Sequence, residues 1–158
     1  MRALILSLLF SSKLAAFEVP AFDYYNFSCL VRNAYHEARG ESVEGLEAVT
    51  QVVLNRMRIK RKEACEIIYK PAQFSWTTVP PSVSESEYRV VEARLWARLV
   101  RHAPVFRRHG GRHVAVVSEQ ITMPILSATH YHKKSVKPKW ARQMKRVAII
   151  GAHIFYRS

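Results

Sequence analysis

Apolar residues recur at three-and-four spacing through Phe27, Leu30, Val31, Ala34, Tyr35 and Ala38, which predicts a helix with one buried face. Arg39-Gly40 comes just after the last periodic position and predicts where that helix stops. Ser42 is then placed to cap a second helix whose early turns carry Glu44 and Glu47. Leu46, Val49, Thr50, Val53 and Met57 form its predicted buried side, while Glu47, Gln51, Asn55 and Arg58 gather on the other. Such a polar stripe commonly just faces solvent.

After a basic run at residues 59–62 and a short segment ending near Tyr69, Gln73-Phe74-Ser75-Trp76 is too brief for a helix. Pro80-Pro81 breaks the chain, and Ser84 with Glu87 forms a capping box ahead of a third helix. That helix buries Tyr88, Val91, Leu95 and Leu99 and stops at Pro104. Residues 105–125 are basic, with a turn expected at His109-Gly110-Gly111 and a possible strand over 114–117. Alternation through residues 128–132 predicts a strand, and a lysine-rich loop with Pro138 leads to Trp140. Residues 146–157 read as a hairpin about Gly151-Ala152 or, nearly as well, as a helix up to Gly151. The fold class expected is α+β, mainly helical, with a small antiparallel sheet from the C-terminal half.

Glu37 falls in the last turn of the first helix, over Asn33 and Ala34, at the margin of the apolar stripe. Partial burial and the negative end of the helix dipole both disfavour its charged form, so its pKa is expected to rise. A carboxyl that keeps its proton near neutrality can protonate a leaving oxygen. The same spacing also suits an exposed glutamate with no special task.

Composition narrows the picture. With 158 residues and 49% hydrophobic content the chain can build one compact domain. Its formal charge of +13 favours an anionic partner, whether nucleic acid, acidic lipid or envelope polymer. Residues 1–16 combine Arg2, an apolar run over 3–10 and a small-residue end at Ala15-Ala16, the pattern of a secretory leader cleaved near Ala16. The alternative is a buried N-terminal helix. The run is too short for a lasting membrane anchor. Cys29 and Cys65 are the only cysteines. In an exported chain they are expected to pair, whereas in a cytoplasmic one two buried thiols would be the better reading.

Several stretches taken together resemble one family: YHEARGES, EGLEAVTQVVLNRM, QFSW, ATHYH, WA and IGAHIFYR. In this order they are similar to the cell-wall hydrolases typified by the spore cortex-lytic enzyme SleB. The likeness is dense over residues 28–76 and good over 128–157. It implies a lysozyme-like, lytic-transglycosylase-like domain spanning residues 17–158 that acts on the glycan strands of bacterial peptidoglycan. Members of the family with cysteines at both places look the same. The resemblance also puts the catalytic glutamate, the first acid of EARGE, on Glu37.

On this reading Glu37 is catalytic. The expected substrate-binding residues are Glu41, Gln51, Asn55, Gln73, Phe74, Ser75, Trp76, His130, Tyr131, His132, Trp140 and Tyr156. Phe74 and Trp76 are placed on the cleft wall, against the general tendency of loop aromatics to be core. Glycosidases of the usual kind need two carboxyl groups about the bond. Here Asp23 is the only aspartate, Glu119 is the only acid after Glu92, and Glu41 is the nearest second group to Glu37. Glu41 could equally hold Arg39 or its neighbours in place. A lone glutamate suits lytic transglycosylation, in which the sugar's own 6-hydroxyl takes the place of water. Hydrolysis of the muramidase type is the alternative. His130, His132 and His153 raise a zinc amidase or peptidase, but no third ligand has a fixed spacing, and no cofactor or metal is expected. A nucleic-acid-binding protein is the remaining rival, disfavoured because the cations are spread along the whole chain. Anionic envelope polymers would attract the charge. A secreted or periplasmic monomer, either a phage lysin or a small periplasmic enzyme, is the expected setting.

Overall fold

A computed structural model describes residues 24–101, 106–109, 112–115, 125 and 127–158. The leader at 1–16, Asp23, Pro104, the Gly110-Gly111 turn, Val116, Val117 and Glu119 lie outside the described residues. Helix α1 (Tyr24–Ala38) and helix α2 (Val43–Lys60) form a hairpin across the Arg39-Gly40 turn. Short α3 (Ala64–Ile68) and long α4 (Glu85–Arg101) pack around it.

The predicted apolar stripe of α1 is buried in full, and Ser42 caps α2 by accepting the Gly45 N–H. The second helix runs two residues into the basic stretch, to Lys60, and Arg61 closes it in the left-handed conformation with φ of 52°. Because α2 packs against α1, α3, α4 and the sheet, it is buried nearly all round. One member of its polar stripe is thereby drawn inside: Asn55 is 4% exposed. Glu47, another, pairs with Arg98 of α4 at 2.9 Å.

The capping box of α4 forms only by half. Ser84 Oγ accepts the Glu87 N–H, but the Ser84 N–H donates to the Tyr35 hydroxyl, which in turn donates to Glu87. Tyr35 of α1 thus takes the place of the reciprocal arm and ties the two helices together. The Cys29–Cys65 disulfide joins α1 to α3.

Strands β1 (Phe106–His109) and β2 (Arg112–Ala115) pair antiparallel, so the strand expected over 114–117 starts two residues early. The remaining strands, β3 (His130–Lys133), β4 (Lys145–Ile150) and β5 (His153–Arg157), form an antiparallel sheet in the order β3-β5-β4. The hairpin reading of the C-terminus is therefore the right one and the helical alternative falls. Alternation along β3 and β5 sends Tyr131, His153 and Phe155 toward the helices and His130, His132, Ile154 and Tyr156 to the opposite face. The result is mainly helical α+β. Among the described residues no helix is long and apolar enough to cross a membrane.

Candidate active site

The α1–α2 turn over residues 36–41, Lys133 at the end of β3 and Ala152 in the β4–β5 turn line a cleft of about 360 Å³. Glu37 stands in it, half-buried on the last turn of α1. Burial is the main influence on its carboxyl and raises its pKa. Set against this, and smaller, are the Tyr131 phenol directed at the carboxylate and the charges of Lys133 and Arg56. The net result is a carboxyl that keeps its proton to higher pH than an ordinary glutamate, as a general acid must.

Tyr131 is the inner-face residue of β3 that meets Glu37. Its hydroxyl is buried among Glu37 and Asn33 and makes no hydrogen bond of full geometry among the described residues, while burial and the Glu37 charge hold its pKa well above 10.0. It is a neutral phenol, able to turn its proton toward the acid or toward a bound sugar. Arg56, 5% exposed, lies behind both. Its Nε donates to the Thr129 carbonyl at 2.6 Å, its guanidinium covers the Phe74 ring, and one Nη has no partner among the described residues. His36 completes the wall. Its ring stacks on Trp76 with centroids 4.5 Å apart, and burial with nearby Arg39 and Arg32 lowers its pKa, so it is neutral.

Glu41 shares the cleft but is already engaged. Its two carboxylate oxygens accept the Ala152 N–H at 3.2 and 3.1 Å. His153 Nδ1 lies 3.6 Å from Oε1, yet burial lowers that imidazole's pKa, so the contact joins a carboxylate to a neutral ring and is not an ion pair. Tying down the β4–β5 turn is the job this geometry gives Glu41.

The other expected binding residues divide. Phe74 and Trp76, placed on the cleft wall from sequence, turn inward at 7% exposure each and join the core around the disulfide. Trp76 also donates from its indole nitrogen to Asn33, so it buttresses His36 from behind. Gln73 is half-buried and Ser75 is exposed. Asn55 donates to the carbonyls of Ile125 and Ala128 and accepts from Gln51, which leaves its amide occupied in holding the approach to β3.

Expected beside the acid, His130, His132, Trp140 and Tyr156 instead cluster on the outer face of the sheet, because strand parity opposes them to Tyr131. His132 bonds the Tyr156 hydroxyl through Nε2 and the Lys133 carbonyl through Nδ1. His153 lies on the inner face, so the three histidines that suggested zinc do not converge. Among the described residues no group of three or more His, Cys, Asp or Glu is arranged to hold a metal. A separate depression of about 250 Å³ between Tyr25, Arg32, Tyr69 and Tyr88 offers no carboxyl for the chemistry.

Sequence reasoning missed Asn33, His36, Arg56 and Lys133. Lys133 was within reach of it, since the residue two along a strand from Tyr131 must share its face. Arg56 was not: a helix buried on nearly every side gives no periodic sign of which polar residue faces a site.

A family model described as cell wall hydrolase matches residues 40–156. The match begins just beyond Glu37. No curated protein matches the chain. Among solved structures, the catalytic domain of the germination-specific lytic transglycosylase SleB from Bacillus anthracis is similar with a TM-score of 0.56 at 20% identity, covering 88% of this chain and 100% of that one. The catalytic domain of Bacillus cereus SleB gives 0.53 at 23% identity, over 88% and 95%. At such identities the likeness speaks for the fold.

Proposed function

The chain belongs to the cell wall hydrolase family and is a peptidoglycan-degrading enzyme, and from that premise we propose that it cuts glycan strands between N-acetylmuramic acid and N-acetylglucosamine by lytic transglycosylation. The observation that supports this most is the state of the two cleft carboxyls: Glu41 is tied to Ala152, so among the described residues Glu37 alone is left for the reaction. One carboxyl cannot both protonate a leaving group and activate a water from the opposite side.

In the reaction, protonated Glu37 gives its proton to the glycosidic oxygen and the bond from that oxygen to the muramoyl C1 breaks. The 6-hydroxyl of the same muramoyl ring then attacks C1 and returns a proton to Glu37. No water is consumed, and the acid is restored for the next turnover. Tyr131, neutral and adjacent, steadies Glu37 while it is charged and supplies a hydrogen bond that needs no counterion. The fixed positions of Glu37 and Tyr131, on a helix end and a strand, supply orientation.

The substrate lies outside the cytoplasmic membrane, and the leader-like residues 1–16 support export of a monomeric enzyme to the periplasm or medium. A phage lysin or a small periplasmic enzyme fits this setting, and the surplus of positive charge, which remains after loss of Arg2 and Lys13 with the leader, would draw either to anionic envelope polymers. Mass spectrometry of digested peptidoglycan tests the chemistry. The expected product carries a 1,6-anhydro-muramoyl end, one water lighter than a reducing end. A reducing end would mean hydrolysis.

A further inference from the structure

Among the described residues that line the cleft, Arg39 and Lys133 are the arginine and the lysine, and they are not equivalent. Arg39 leans away, its guanidinium over the Tyr35 ring at 5.0 Å and its Nε 3.7 Å from Glu87. Lys133 has no ion pair or side-chain hydrogen bond among the described residues, although its backbone is firmly held. The adjoining Lys134 N–H donates to the Ala152 carbonyl at 2.8 Å, and the Ala152 N–H donates to Glu41, so the end of β3 is pinned to the α1–α2 turn. Lys133 is therefore a solvent-exposed cation with no ion pair among the described residues, its backbone fixed at the edge of the cleft that holds Glu37.

Within the protein this cation favours ionised Glu37, the form that cannot act as an acid. A ligand carboxylate beside it would offset that effect. On the glycan strand the two sugars differ in this respect: the muramoyl residue bears a 3-O-lactyl group with a carboxyl, and the glucosamine has none. We infer that Lys133 is a specificity-determining residue that pairs with the free lactyl carboxylate of the muramoyl residue at the scissile bond. The preferred substrate is then glycan stripped of its stem peptides, since an attached peptide turns that carboxylate into an amide. A reaction of the amidase class, which cuts between lactyl group and peptide, must supply it. This inference rests on the reading of the cleft as a glycan-cleaving site.

The test uses peptide-free strands prepared with an amidase, half of them converted to lactyl methylamides by carbodiimide coupling with methylamine. For the wild-type protein the KM on the carboxylate strands is expected to be about fivefold below that on the methylamides, with kcat less affected. Lys133→Gln should bring the two KM values together, and Lys133→Arg should keep them apart. Equal KM values for the wild type, or an undiminished difference in Lys133→Gln, would overturn the inference and leave the glycan-cleaving reading standing. If the wild type cuts neither strand but still cuts whole peptidoglycan, the inference alone falls; if it cuts none of the three, both fall.

Discussion

Glu41 and Gly151 are fitted to one another: a Cβ added at Gly151 would lie 1.9 Å from Glu41 Oε2. The glycine has φ of +55°, so its lack of a side chain serves both the turn and the carboxylate that grips Ala152. Gly151→Ala should therefore cost about 1–3 kcal/mol, combining left-handed strain with a displaced charge-assisted hydrogen bond. Thermal melting would register it. Because the same turn anchors Lys133, KM should rise as well, and a variant with unchanged melting and KM would remove Glu41 from its anchoring role.

Asn55 lies near the cleft in sequence terms but serves the backbone. Its amide satisfies the carbonyls of Ile125 and Ala128 in a buried setting, so Asn55→Ala strands both and is expected to lose about 2–4 kcal/mol. Urea unfolding measures this directly. If instead stability were unchanged and KM rose, Asn55 would be a sugar ligand as the sequence first suggested.

The disulfide spans 36 positions and joins α1 to α3. Closing a loop of that size restricts the unfolded chain by about 2–4 kcal/mol. Reduction should lower the melting temperature by several degrees, and Cys29→Ala combined with Cys65→Ala should match the reduced wild type. No change on reduction would show the bridge to be dispensable.

Glu37 also sets a pH dependence whose sign follows from its raised pKa. The folded protein binds this proton more tightly than the unfolded chain, where the glutamate titrates near 4.5. Its contribution to stability is thus full below 4.5, is lost as pH climbs through the raised value, and is constant above. Glu37→Gln, which cannot ionise, should gain melting temperature over the wild type at neutral pH but not at acidic pH. Activity should fall on the alkaline side as the acid loses its proton. A wild-type advantage at neutral pH would mean that the carboxylate is stabilised, with a depressed pKa.

The helical half was legible in the sequence because α1 and α4 each bury one face, and that leaves a period in the apolar residues. Glu37 could be placed for the same reason, whereas the segment around Gly151-Ala152 suited a hairpin and a helix nearly equally and only the structure decides for the hairpin. Where α2 is buried nearly all round its polar residues carry no directional signal, so the sequence does not tell that Asn55 holds backbone carbonyls or that Arg56 lies behind the cleft. On β3 parity is readable: neighbours on a strand point apart, which separates His130 and His132 from Tyr131. The inward turn of Phe74 and Trp76 follows the ordinary preference of large rings for burial, which is stronger than their aptitude for sugars.

On the proposed mechanism one proton, held by Glu37, is delivered to the glycosidic oxygen. Release of dye from labelled peptidoglycan by Glu37→Gln, with circular dichroism and melting followed on the same sample, tests this. The predicted result is a loss of at least about a thousandfold in rate with the fold intact. A folded Glu37→Gln protein that still releases dye at a rate near the wild type's would contradict it.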